Sequence, residues 1–279
     1  MNPVRKVGFV VNKTIPLAAE VAQQTEVLLH ERGVVICYAE DGHEGADWSK
    51  QDQLNLIFSF GGDGTILRAA RSAAPLQVPI FGVNMGRVGF LTEVNPDELP
   101  DKLPHVLDGR YWVEQRAMLH CELWRDGREI HWFRALNDVV ASRAALSRVV
   151  DCTLMVNGHK VTTYVADGVI VATPTGSTAY SMAAGGPILH PELHNIVVTP
   201  IAPYLTLLRS LILPGDNQIE LDITTDDEAF LTVDGQAHVR LEDGDVLRIS
   251  LSPDACLFAR VQPRSYFAAT LTSRLRRSE

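Results

Sequence analysis

Three glycines and an aspartate within six residues, Phe60-Gly61-Gly62-Asp63-Gly64-Thr65, constrain this chain more than any other stretch. An apolar run from Leu54 to Phe60 leads in, and a helical pattern from Ile66 to Arg71 leads out. A strand that ends on glycines where a helix begins leaves free backbone N–H groups facing the turn. Glycine lets another molecule approach the backbone closely, and a helix N-terminus favours anions such as phosphate. An acid in that place is a poor structural choice and a sensible chemical one. Asp63 can hold a metal ion or take a proton from a hydroxyl that attacks phosphorus. The plain alternative is a tight turn that happens to carry an acid. No G-x-x-x-x-G-K-[ST] occurs anywhere, and no G-x-G-x-x-G follows the first strand, so neither the Walker loop nor the dehydrogenase fingerprint is present.

The turn sits in a β-α-β alternation. Val7 to Val11 reads as a strand buried on both faces, Leu17 to Arg32 as a helix stopped by Gly33, and Val34 to Tyr38 as a second strand. Glu40 to Asp52 is polar and reads as a loop. Strand three enters the glycine turn, and the helix after it is expected to end before Pro75. Val78 to Asn84 is a fourth strand and Pro96 to Leu107 a last helix. This pattern predicts a parallel sheet covered by helices, with ligands at the carboxyl ends of the strands. After Gly109 the chain reads as all-β. Asp126-Gly127 and Asn157-Gly158 are hairpin signals flanked by extended stretches, and short strands follow at Gln218–Thr224, Ala229–Val233, Val246–Leu251 and Ala255–Val261. The expected division is an α/β domain over residues 1–109 and an all-β sandwich over 110–263, with the tail 264–279 returning to the first.

With 279 residues and 46% apolar side chains, the chain can fill two ordinary cores. A net charge of −9 argues against a nucleic-acid partner. Cys37, Cys121, Cys152 and Cys256 lie far apart without a C-x-x-C pair, as reduced thiols of a cytosolic protein would. The N-terminus has no signal-peptide apolar region, and no run of 18 apolar residues exists; Leu205 to Leu213 is too short. The expectation is a cytoplasmic protein without a membrane partner.

Other stretches carry more polarity than a fold requires. Asn137-Asp138 interrupts an apolar strand, Ala135 to Val140, so the two side chains should face opposite sides. A strand end with local hydrogen bonds would explain them equally. Asp167-Gly168 ends one hairpin strand before a new apolar run, as a turn acid also would. Thr173 to Gly186 reads as a turn and a short helix of small residues against which a flat ring could lie, with Tyr180 offering a stacking face; close helix packing is the alternative. Asp234-Gly235-Gln236 resembles an ordinary hairpin turn.

In order, Gly61-Gly62-Asp63-Gly64-Thr65, Asn137-Asp138, Asp167-Gly168, Thr173-Pro174-Thr175-Gly176-Ser177-Thr178-Ala179-Tyr180-Ser181 and Asp234-Gly235-Gln236 resemble the NAD kinase family over nearly the whole chain, and Gly86-Arg87-Val88-Gly89-Phe90-Leu91 fits its pattern too. The resemblance implies a Rossmann-like or phosphofructokinase-like α/β N-terminal domain, an all-β C-terminal domain and NAD bound between them. It implies transfer of a phosphoryl group from ATP, or from another donor such as polyphosphate, to the 2′-hydroxyl of the adenosine ribose, with Mg²⁺ or another divalent metal, in a homodimer or homotetramer. Asp63 would be the proton acceptor, with Gly64 beside the substrate and Arg68, one helical turn on, reaching a phosphate. Asn137 and Asp138 match an Asn-Glu pair that holds ribose, the acid here being one methylene shorter. Arg148 and Asp167 match substrate contacts. Thr178, Ala179, Tyr180, Ser181, Met182 and Ala183 would line the adenine side, Ala183 standing where relatives carry serine. Ala202 and Gln236 complete the set, Val165 stands where some bacterial members carry Arg, and no side chain is assigned as a metal ligand. Two alternatives are a lipid or diacylglycerol-type kinase sharing the glycine turn, and a non-catalytic dinucleotide sensor.

Overall fold

A computed structural model of the chain describes residues 3–38, 48, 53–86, 89–144, 148–204 and 209–275. In chain order its elements begin with β1 (Lys6–Val11), α1 (Pro16–Glu31), β2 (Val35–Tyr38), β3 (Leu56–Gly61), α2 (Asp63–Leu76), β4 (Ile80–Asn84), α3 (Leu99–Leu107), β5 (Trp112–Arg116), β6 (Leu119–Arg125), β7 (Arg128–Ala135) and β8 (Asp138–Arg143). They continue with β9 (Val150–Val156), β10 (His159–Ala166), β11 (Gly168–Ala172), a 3-10 turn (Gly176–Thr178), α4 (Tyr180–Ala183), β12 (Asn195–Ile201), β13 (Leu211–Pro214), β14 (Ile219–Thr224) and β15 (Ala229–Val233). The last are β16 (Ala237–Leu241), β17 (Val246–Leu251), β18 (Cys256–Arg260) and α5 (Tyr266–Leu275).

Two compact units result, Met1–Gln115 with Ala255–Glu279, and Arg116–Asp254. The first holds a six-stranded sheet in the order β2-β1-β3-β4-β18-β5, with β1, β2, β3, β4 and β18 pairing in parallel. Such strands are buried on both faces, which is why β3 and β4 read as continuous apolar runs. One face packs Phe9, Phe58, Phe60 and Phe81 against α1 and α3. Phe9 meets Phe58 and Phe60 edge to face, Phe9 and Phe60 with centroids 4.9 Å apart, an arrangement that aromatic quadrupoles favour. The α2 helix covers the other face, where Gly82 of β4 sits directly beneath Ile66.

Two expectations about this unit are corrected. The α2 helix does not stop before Pro75 but runs to Leu76 and ends on Gln77 in the left-handed region. Proline removes only one donor in a last turn, and the Gln77 and Val78 N–H groups satisfy the Ala73 and Ala74 carbonyls. The strand over Ala255–Val261, read as part of the β sandwich, is β18 of the parallel sheet, and β5 joins the same sheet. The compact first unit therefore takes in residues 110–115 and 255–263 as well as the tail. Short strands look alike in sequence whichever sheet they complete. The tail helix α5 packs on this unit, Phe267 beside Phe90.

The second unit is two antiparallel sheets, β10-β9-β14-β17-β6-β7 and β13-β12-β11-β8-β15-β16. Alternate residues of both fill one core around Leu123, Leu154, Tyr164, Leu221 and Leu231. Both hairpin signals hold: Asp126-Gly127 and Asn157-Gly158 take positive φ in two-residue loops joining β6 to β7 and β9 to β10. The outer face of the second sheet is partly covered by the segment from Thr173, where Ala184 and Leu189 pack on Val140, Ile170 and Val197. No described helix is long and apolar enough to cross a membrane. The loop read at Glu40–Asp52, except Trp48, and Leu205–Leu208 lie outside the described residues.

A methyl group on Gly82 would stand 2.6 Å from Ile66 Cδ1 and 3.1 Å from the Thr92 Cα. Gly82→Ala is expected to destabilise the protein by about 1–3 kcal/mol through overpacking beneath α2, read as a lower midpoint in urea.

Candidate active site

The glycine turn is the end of β3 and the start of α2. Gly62 is the cap in extended backbone, its carbonyl accepts from Thr65 and Ile66 N–H, and Asp63 is the first helical residue. The Asp63 carboxylate turns towards the segment after β4. Its Oδ2 accepts the Phe90 N–H at 2.8 Å and its Oδ1 the Leu91 N–H at 3.1 Å. Gly89 makes room for it, since a Cβ there would lie 2.1 Å from Asp63 Oδ1. Gly64 and Arg68 stand exposed one turn apart on one face of α2, while Thr65, Ile66 and Leu67 are buried. Arg87 and Val88 of the Gly86–Leu91 motif lie outside the described residues.

In the second unit, Asn137, Asp138, Ala179 and Tyr180 line one groove of about 350 Å³, together with Thr232 and Asp234. Asn137 and Asp138 are not opposite faces of one strand, as the sequence suggested. They form the corner at which the chain leaves β7 in one sheet and enters β8 in the other. Asp234 holds that corner: its carboxylate accepts the backbone N–H groups of Leu136 at 3.1 Å, Asn137 at 2.8 Å and Asp138 at 3.2 Å. Asp234 and Gly235 both have positive φ, so the hairpin turn between β15 and β16 delivers the acid to the corner. Burial pushes the Asp138 carboxyl up to about 7, and the neighbouring Asp234 adds to the shift.

The Thr173–Gly186 segment is tied to the same corner. Thr173 Oγ1 donates to Leu136 O at 2.6 Å and Thr173 N–H to Asn137 O at 2.9 Å. Gly176 packs against Asn137 so closely that a Cβ would lie 2.1 Å from its carbonyl oxygen. Gly176 therefore serves close packing, while Ala179 and Tyr180 line the groove, Tyr180 being 46% exposed. Thr178 and Met182 are half-buried and Ala183 exposed. Ser181 is buried with its hydroxyl 3.0 Å from Thr199 Oγ1, and it does not line the groove. Gln236 follows Asp234 in the turn.

Asp167, Ala202 and Arg148 are not brought to this groove. Gly168 pairs with Ser142 whereas Ala172 pairs with Asp138, so Asp167 lies about 15 Å along the sheet from Asp138. There Asp167 takes Arg143 Nε at 2.6 Å and Nη2 at 3.4 Å, and its N–H donates to Ile201 O, next to Ala202. Arg148 is exposed, its N–H 3.3 Å from Asp227 Oδ2. Sequence reasoning gave no role to the Phe90 and Leu91 N–H groups, to Arg143, or to Asp234 as the anchor of the corner. Only the last had a signal, an Asp-Gly pair.

The family model of the ATP-NAD kinase N-terminal domain matches residues 7–111, and that of the ATP-NAD kinase C-terminal domain matches residues 136–261. The chain belongs to the NAD kinase family. The NAD kinase of Dehalococcoides mccartyi (strain CBDB1) is 38% identical over 273 residues, covering 98% of this chain and 96% of that protein. That of Chloroflexus aurantiacus is 40% identical over 247 residues, covering 88% and 87%. Among solved structures, yeast NADH kinase complexed with NADH superposes with a TM-score of 0.86 at 26% identity, covering 98% of this chain and 87% of that one. An Archaeoglobus fulgidus NAD kinase in complex with ATP gives 0.77 at 27% identity, covering 98% and 99%. As an NAD kinase the chain phosphorylates NAD to NADP with ATP, and the lipid-kinase and sensor readings fall.

A carboxyl whose folded pKa is raised binds its proton more tightly in the folded state, so stability falls as pH rises from the unfolded value, near 4, to about 7. Asp138→Asn is expected to remove that fall. The variant should gain up to about 4 kcal/mol over wild type at pH 8 and little at pH 4, read by urea unfolding across that range.

Proposed function

We propose that Asp63 is the proton acceptor when the γ-phosphoryl group of ATP passes to the 2′-hydroxyl of the NAD adenosine ribose. The observation that carries this reading is the anchored Asp63 carboxylate at the N-terminus of α2. Each oxygen that accepts one N–H keeps a lone pair for a substrate hydroxyl. A bond forms from the 2′-oxygen to γ-phosphorus, the bond from γ-phosphorus to the bridging oxygen breaks, ADP leaves, and the ribose proton goes to Asp63. A ribose hydroxyl is a weak nucleophile, so positioning and charge neutralisation supply most of the acceleration. The positive end of the α2 dipole and the exposed Arg68 supply positive potential towards the phosphates.

The groove of the second unit takes the nucleoside in this reading. Tyr180 offers a ring face to adenine, Thr178, Ala179, Met182 and Ala183 the small surface around it, and Asn137 with Asp138 the polar groups for ribose; Ser181 supports α4 from beneath. Gln236, Arg148, Asp167 and Ala202 act as further contacts. Asp167 and Ala202 stand away from the groove lining, and in this reading a second copy of the chain would bring them to it, in a homodimer or homotetramer.

NAD kinases commonly use a divalent metal. Among the described residues no three acids, histidines or cysteines cluster as a cage, and Asp63 is the carboxylate at the turn. That donor set fits Mg²⁺ carried mainly on substrate phosphates, and Asp63 is the side chain at the turn that could offer it an oxygen. When bound, the ion neutralises charge on the transferring phosphoryl group. A cytoplasmic enzyme is the reading that fits four cysteines none of which is in a disulfide.

Asp63→Asn is expected to lower NADP formation by about 10²- to 10⁴-fold while NAD affinity, by calorimetry, stays within about threefold. Near wild-type turnover would contradict the assignment. Excess EDTA is expected to stop the reaction and added Mg²⁺ to restore it, with the unliganded protein's melting temperature unchanged. A sizing measurement beside it should give a dimer or tetramer, and a monomer would contradict the homo-oligomer.

A further inference from the structure

The Asp63 carboxylate is only as well placed as the two backbone N–H groups that hold it. Those belong to Phe90 and Leu91, in a segment without regular secondary structure. One buried cation ties that segment to the sheet. Arg260, at the end of β18 and 6% exposed, donates from Nη1 to Leu91 O at 2.9 Å and to Glu93 Oε2 at 2.9 Å. Its Nε donates to Glu114 Oε2 of β5 at 2.7 Å. Glu93, 4% exposed, then takes the Val261 and Gln262 N–H groups on Oε1, both at 2.7 Å. From the tail helix, Arg274 reaches Phe90 O at 3.4 Å and lies over the Phe90 ring. The Phe90 carbonyl and the Leu91 N–H are one peptide unit, so a cation on that oxygen strengthens the N–H as a donor to Asp63.

Breaking such a buried network is costly, yet apolar residues of similar volume often stabilise a core as well. Stability alone does not require three charges here. What apolar side chains cannot do is donate to the Leu91 carbonyl, which holds the Leu91–Thr92 peptide, the unit that directly follows the one whose N–H binds Asp63.

We propose that Arg260 is a positioning residue for phosphoryl transfer: through the Leu91 carbonyl it fixes the backbone donors that orient Asp63, with Arg274 holding the adjoining carbonyl. This rests on the reading of Asp63 as proton acceptor. Lysine at 260 keeps the charge but lacks the planar fork that serves Leu91, Glu93 and Glu114 together. Arg260→Lys is therefore expected to lower kcat by about 10- to 100-fold, with KM for NAD and ATP within about threefold of wild type. Glu114→Gln disturbs the same network but leaves the Arg260–Leu91 bond, and it should keep kcat within about threefold even if its melting temperature falls as far as that of Arg260→Lys. In an Asp63→Asn background, Arg260→Lys should add little further loss, because both changes remove one function.

Unchanged kcat in Arg260→Lys, equal kcat losses in Arg260→Lys and Glu114→Gln at equal loss of stability, or full additivity with Asp63→Asn would each overturn the proposal. If Arg260→Lys does not fold, Arg274→Met decides. A kcat loss of about three- to tenfold at constant KM supports the anchored segment, and kcat within twofold of wild type overturns it. An active Asp63→Asn enzyme would instead remove the reading beneath, which separates the two failures.

Discussion

Two backbone hydrogen bonds to one carboxylate organise the first unit around its chemistry. Hydrogen bonds to a charged group contribute about 1.5–3 kcal/mol each, so Asp63 binds the segment from Gly89 to Leu91 to the start of α2 as firmly as that segment binds it. The constraint spreads outward. Gly89 must lack a side chain, Gly82 must leave room beneath Ile66, and β18 and β5 must close the sheet so that Arg260 can reach Leu91. A carboxylate held in this manner is turned before substrate arrives, and positioning is what phosphoryl transfer chiefly asks of a protein.

The second unit uses acids for two different purposes a few ångströms apart. Asp234 accepts three N–H groups and so is satisfied as an anion. Asp138 lies beside it, and burial pushes its carboxyl up to about 7. Asp234 builds the corner at which Asn137 and Asp138 leave one sheet for the other, and Asp138 faces the groove. The Thr173 segment locks onto the same corner through Thr173 and Gly176, so one scaffold presents Asn137, Asp138, Ala179 and Tyr180 together.

Much of this was legible in the chain because it depends on local chemistry. The glycine turn between β3 and α2, the parallel strands and the two positive-φ hairpins follow from residue pattern alone. The family was legible from ordered motifs over the whole length. What escaped depends on partners distant in sequence. Asp63 to Phe90, Asp234 to Leu136 and Arg260 to Glu93 are 27, 98 and 167 residues apart, and no periodicity links them. For the same reason Ala255–Val261 was read with the antiparallel strands: a five-residue apolar strand does not say which sheet will accept it. The sequence left Asn137-Asp138 open between a strand interior and a strand end, because the corner's three backbone donors find their acceptor on another hairpin.

The central claim is that Asp63 takes the proton from the ribose hydroxyl. A crystal structure of the protein with NAD and a non-hydrolysable ATP analogue tests it most directly. The account requires an Asp63 carboxylate oxygen within about 2.6–3.2 Å of the adenosine 2′-oxygen, with the γ-phosphorus in line on that oxygen's far side. An Asp63 carboxylate more than about 5 Å from the 2′-oxygen, with another acid such as Asp138 in hydrogen-bonding reach of it, would contradict the account.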